Sequence, residues 1–145
     1  MLKVLIVNND ESSRKSIESL LFKKVPETTI VASTKNIEEA RIILESCPVD
    51  LLFLDLMIGD YMGFELLNSV KTIMCKVVFT TVNEPFALRA IKYSAFDYLV
   101  QPIQQEDFDF FMDNIKKQDM LDAGQKLNHL FGSLRPQAPL SKLAL

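Results

Sequence analysis

Five short apolar runs alternate with segments of helical spacing, and this alternation constrains the fold more than any other feature. The runs are Lys3–Val7, Thr28–Ser33, Leu51–Asp55, Lys76–Thr81 and Phe96–Val100. Uninterrupted Val, Ile, Leu and Phe in so few residues predicts strands buried on both faces. Between them, Glu11–Lys24 spaces Ile17, Leu20 and Leu21 helically, with Asp10 or Ser12 as its cap. Ile37–Ser46 puts Ile37, Ala40, Ile43 and Leu44 on one face, and Phe64–Lys71 does the same with Phe64, Leu67 and Val70. Pro85–Tyr93 is a fourth predicted helix, with proline at a tolerated early position. A fifth starts near Glu106, with Phe108, Phe111, Met112 and Ile115 as its core stripe. Strands alternating with helices predict an α/β fold: a doubly wound, five-stranded parallel sheet of flavodoxin-like type with right-handed crossovers.

Such a sheet places its chemistry at the carboxyl ends of its strands. The segment Val49–Gly63 contains an apolar strand that stops at one carboxylate, Asp55. Four loops then meet at one edge: Asn8–Asp10, Asp55–Asp60, Thr80–Asn83 and Gln101-Pro102. His129 is the sole histidine, which excludes multi-histidine metal sites and histidine-based catalysis. Cys47 and Cys75 lack metal or redox spacing and read as buried or half-buried thiols of a reducing compartment. A net charge of −3 gives no footprint for nucleic-acid binding by this segment itself. The start of the chain is too short in apolar residues for a signal peptide, and no stretch is long enough for a membrane span, so the expected compartment is the cytoplasm.

These motifs together resemble a response-regulator receiver domain, the (βα)5 module of two-component signalling, over Lys3 to about Lys117. The strand-and-loop segment ending in Gly63-Phe64-Glu65-Leu66-Leu67 matches the phosphoacceptor region. Val78–Thr81, followed by Ala87–Ile103, is similar to receivers of LytTR-type transcription regulators, in which a DNA-binding domain follows a linker. The resemblance implies that Asp55 accepts a phosphoryl group from a sensor histidine kinase. It also implies that Thr81, rather than Thr80, supplies the switch hydroxyl and that Tyr98 is the aromatic coupled to it.

At three positions of the pocket the chain departs from that pattern. The family's acidic pair, which binds Mg²⁺ with the phosphoacceptor and a backbone carbonyl, is replaced by Asn8 and Asn9; the carbonyl position is Met57. Mg²⁺ is a hard cation that favours charged oxygens. Gln101 stands where the family has the lysine before Pro102, so a donor is kept and a charge lost. In addition, Gly59 replaces a loop proline, which predicts a looser loop after Asp55, and Asp10 is expected to point away. The sequence therefore predicts an atypical, non-enzymatic receiver with a weak or absent Mg²⁺ site and weak or absent phosphorylation. Two alternatives stay open: a phosphorylation-competent receiver with an unusual metal site, and a ligand-binding flavodoxin-like module. The second is disfavoured because the chain has only 4 glycines and no glycine-rich phosphate loop.

The expected organisation is a receiver over 1–118, a helical extension and linker over 119–139, and the start of a DNA-binding domain over 140–145. In receivers, the face of the fourth helix, fifth strand and fifth helix carries signals to partners. Here Arg89, Lys92 and Tyr93 beside Asp97, Asp107 and Asp113 predict a self-complementary surface for a homodimer.

Overall fold

The computed structural model describes residues 1–58, 61–82 and 97–115. Its strands, in chain order, are β1 (Lys3–Val7), β2 (Thr29–Thr34), β3 (Leu51–Asp55), β4 (Met57–Ile58), β5 (Tyr61–Met62), β6 (Lys76–Thr81) and β7 (Asp97–Val100). Five of them form a parallel sheet in the order β2-β1-β3-β6-β7, the doubly wound topology expected from the alternating runs. Four described helices accompany them: α1 (Glu11–Lys24), α2 (Ile37–Ser46), α3 (Gly63–Ser69) and α4 (Gln105–Ile115). The predicted helix Pro85–Tyr93, with Arg89 and Lys92, lies outside the described residues, as do Gly59, His129 and the whole tail from 119.

Strand side chains alternate between two cores. Leu5, Val7, Leu52, Leu54, Val77 and Phe79 meet Ala40 of α2 and Phe64, Leu66 and Leu67 of α3. Val4, Ile6, Leu51, Phe53 and Val78 meet Ile17, Leu20 and Leu21 of α1 and Phe108, Phe111 and Met112 of α4. Phe53 stacks on Phe108 at 5.9 Å between ring centroids and meets Phe111 edge-on at 6.2 Å. Burial of each such ring contributes roughly 1.5–3 kcal/mol.

Helix starts follow local hydrogen bonding. Asp10, not Ser12, caps α1, its Oδ2 accepting from the Ser13 amide at 3.0 Å. Asn36 caps α2 through the Glu39 amide at 2.8 Å. Either bond satisfies a donor that a bare helix end leaves open.

Three features depart from the sequence expectations. Cys47 is exposed and only Cys75 is buried, because Cys47 falls at the C-cap of α2. The segment after Asp55, expected as a loop, contains the antiparallel ribbon of β4 and β5. Two of the three acids expected to face a dimer partner are paired within the chain. Asp97 lies 2.9 Å from Lys76, and Asp113 lies 2.8 Å from Lys24.

Candidate functional site

The winding direction of the sheet reverses at β1 and β3, so their carboxyl ends open a crevice rather than being covered by one connection. Register decides which residues meet there. Val7 is level with Leu54, which brings Asn8 level with Asp55, and Asp55 pairs with Thr80. Asn8, Asp55 and Thr80 therefore form one row across three strands. Leu56 continues the ladder by donating its amide to the Thr80 carbonyl at 2.9 Å.

Asn8 is 1% exposed, and both ends of its side-chain amide have a partner. Its Oδ1 accepts the Asp10 amide at 2.8 Å, and its Nδ2 makes a long contact to Thr80 Oγ1 at 3.5 Å. The first bond fixes the amide orientation, because a backbone N–H needs an oxygen acceptor. The nitrogen is therefore the atom that faces Thr80, past the end of β3. Asp10 is also occupied: its carboxylate holds Ser13 through both the hydroxyl and the amide, which lowers its pKa. Arg14, one turn into α1, donates to the Asn8 carbonyl at 2.7 Å.

Thr81 is buried and donates its hydroxyl to the Val82 carbonyl at 3.0 Å. Gln101 is half-buried; its backbone amide donates to the Thr81 carbonyl at 2.7 Å, and its peptide bond to Pro102 is cis. Tyr98 sits level with Phe79 and packs against the core on the α2 and α3 side. Asn9 and Met57 are exposed, Met57 in the ribbon and level with Met62.

Comparison with known proteins fits this arrangement. The family described as the response regulator receiver domain matches residues 4–110. The chain belongs to the response-regulator receiver family. It is 32% identical over 120 residues to the sensory transduction protein LytT of Bacillus cereus, covering 81% of this chain and 48% of that protein. It is 28% identical over 123 residues to the sensory transduction protein LytR of Streptococcus agalactiae, covering 83% and 50%. The receiver chain thus spans about half the length of the curated relatives it matches. Among solved structures it is similar to a two-component response regulator from Clostridium difficile. That match has a TM-score of 0.67 and 26% identity, and covers 81% of this chain and 98% of that one. The response regulatory domain of protein mrkE from Klebsiella pneumoniae, at TM-score 0.67 and 24% identity over 80% and 96%, shares the fold. No helix among the described residues is long and apolar enough to cross a membrane.

Receivers typically use Mg²⁺, and the donor set here does not fit it. Mg²⁺ takes six oxygens in a near-octahedral shell, anchored by carboxylates. At this edge Asp55 is the one carboxylate of the expected set, Asn8 has its oxygen bound to Asp10, and Asn9 offers a neutral amide. No cluster of three His, Cys, Asp or Glu side chains able to hold a metal occurs among the described residues. Sequence reasoning set Thr80 aside in favour of Thr81, and it did not single out Arg14, whose guanidinium reaches the Asn8 carbonyl. The spacing of Arg14, four residues after the Asp10 cap, was the available signal for the latter.

Burial raises the pKa of Asp55 to about 6, against the opposing pull of the Met57, Asn9 and Leu56 backbone amides; the Asp10 charge adds to the rise. Between about pH 4 and pH 6 the folded receiver holds a proton that the unfolded chain has released. Stability therefore falls as pH rises through that window. The Asp55→Asn variant is expected to lose this slope. At neutral pH it should be more stable than wild type by about 1–2 kcal/mol, after allowance for residual solvent screening. Urea unfolding of both proteins below and above the window checks this, and a flat wild-type profile would refute it.

Proposed function

We propose that this receiver signals through contact and self-association, with Mg²⁺-dependent phosphorylation at Asp55 weak or absent. The observation that carries the reading is the commitment of Asn8. Its oxygen is bound to the Asp10 amide, and its nitrogen occupies the side facing Thr80. Gln101 adds no charge where the family's lysine would stand, so Asp55 has neither metal nor lysine to neutralise a phosphoryl group. Loss of each close charge pair removes roughly 4 kcal/mol of attraction in a partly screened site.

In this reading residues 1–118 form the receiver, 119–139 a helical extension and linker, and 140–145 the first residues of a LytTR-type DNA-binding domain. Support comes from LytT-like and LytR-like relatives, about half of whose length the match to this chain covers. The module is non-enzymatic and cytoplasmic, makes no membrane contact, and reaches DNA only through the following domain. A sensor histidine kinase is its upstream partner. Homodimerisation uses the face of Pro85–Tyr93, β7 and α4. A groove of about 340 Å³ between β7 and α4, lined by Tyr98, Val100, Asp107 and Phe111, supports that surface. Phe110, also lining it, is 71% exposed and offers an apolar anchor in place of the internally paired acids.

The test is incubation with acetyl phosphate, with and without Mg²⁺, followed by intact mass measurement. Phosphotransfer from a kinase is the parallel arm, and Asp55→Ala is the control. The expected result is no adduct in either condition from protein with a native circular dichroism spectrum. An adduct that requires both Mg²⁺ and Asp55 would replace this reading with that of a competent receiver.

A further inference from the structure

The far edge of the sheet, opposite β7, is strand β2. An edge strand turns half of its backbone N–H and C=O groups outward, and natural edges are usually blunted by charge or proline. The strand Thr29-Ile30-Val31-Ala32-Ser33-Thr34 contains neither. Its register with β1 is also interrupted. Val4 pairs with Ile30 and Leu5 with Ala32, so Val31 has no partner on β1. A bulge of this kind leaves its extra residue unpaired within the sheet.

The charges on either side of the strand are symmetric about that same residue. Glu27 stands four positions before Val31 and Lys35 four positions after it. Both are exposed, and neither makes a salt bridge among the described residues. In an antiparallel pairing of two β2 strands about a two-fold axis at Val31, Glu27 of each copy falls opposite Lys35 of the other. Thr29 then faces Ser33, and Ile30 faces Ala32. The two helices that contact β2, α1 and α2, each carry an exposed large apolar side chain, Phe22 at 44% and Ile42 at 52%.

We propose that β2 is a docking edge for a second copy of this chain, joined antiparallel about Val31 with two Glu27–Lys35 pairs. The contact is isologous, as two-fold symmetry requires, and distinct from the β7–α4 face at the other edge of the sheet. The bulge keeps the pairing short, which suits a reversible association rather than open-ended strand addition. The inference stands independently of the phosphorylation reading, since it uses no residue of the Asp55 row.

Sedimentation velocity of the whole chain across micromolar to millimolar concentrations tests it. Wild type is expected to self-associate. Glu27→Lys and Lys35→Glu each turn two attractions into two repulsions and should weaken the β2-dependent step about tenfold or more. The double variant E27K/K35E restores the complementarity and should restore association. Both positions are exposed, so folding is preserved in all three variants. Amide exchange over residues 29–34 should slow with protein concentration in wild type and in the double variant alone. A wild type that stays monomeric throughout would overturn the proposal. So would a dimer indifferent to both single reversals, which would assign association to the β7–α4 face, or a double variant as weak as the singles.

Discussion

Replacing Asn8 and Asn9 by aspartate and Gln101 by lysine is expected to give a protein that Mg²⁺ stabilises and that acetyl phosphate modifies at Asp55, two responses the proposed function does not expect of the wild type. In the wild type, melting temperature should not move with Mg²⁺. In the triple variant without metal, stability should fall, because residue 8 is 1% exposed and a carboxylate there stands level with Asp55. Like charges in so buried a row disfavour each other, and one of them would stay protonated near neutral pH. Added Mg²⁺ should reverse that loss. At a hundredfold excess over its dissociation constant, a ligand that binds only the folded state contributes about 2.7 kcal/mol.

The three substitutions are expected to act as a unit. Asn8→Asp alone would add a buried anion with no metal shell complete enough to neutralise it. Gln101→Lys alone would restore the cation that the family resemblance brings to the phosphoacceptor, and is expected to lower the Asp55 pKa now held near 6 by burial. Thermal melts with and without Mg²⁺ and intact mass after acetyl phosphate are the readouts. If wild type already melts higher in Mg²⁺, or the triple variant gains neither response, then Asn8 and Asn9 are not what separates this chain from a metal-dependent receiver.

Much of the scaffold could be read from residue spacing, since burial on both sheet faces imposes it. Ile17, Leu20 and Leu21 of α1, and Phe108, Phe111 and Met112 of α4, fall in the core as their periodicity predicts. The position of Asp55 at a carboxyl strand end follows from the abrupt close of an apolar run. What spacing could not convey was decided by tertiary contacts. The direction of the Asn8 amide depends on where the Asp10 backbone points. Thr80 and Thr81 are adjacent in sequence, and only register shows that Thr80 joins the Asn8 row while Thr81 bonds locally to Val82. The ion pairs that engage Asp97 and Asp113 within the chain join residues far apart in sequence. Two-residue strands such as β4 and β5 are too short to show a period at all.

The Gly63→Ala variant is expected to be the most damaging small substitution near the site, destabilising the fold by about 3 kcal/mol, at the upper end of ordinary overpacking costs. Gly63 opens α3, and its amide donates to the Leu56 carbonyl at 2.6 Å, tying the helix start to the end of β3. A Cβ at this position would collide with the backbone oxygen of Asp55 and lie 3.2 Å from both its carbonyl carbon and Leu54 Cγ. The obstacle is backbone inside a paired strand, so no rotamer change relieves it. Alanine's helix preference over glycine returns at most about 1 kcal/mol, and the clash wins. Relief requires β3 and α3 to separate, which shifts the Asp55 peptide and admits water. The pH window set by Asp55 burial should then move toward the ordinary carboxylate range. Asn68→Ala, an exposed change on the same helix, is the control and should stay within about 0.5 kcal/mol of wild type. Urea unfolding of both variants, with Asp55 titrated by NMR, measures the two effects together. A Gly63→Ala protein as stable as the control, with Asp55 still titrating near its wild-type value, would show that α3 does not press on the end of β3 as closely as the structure places it.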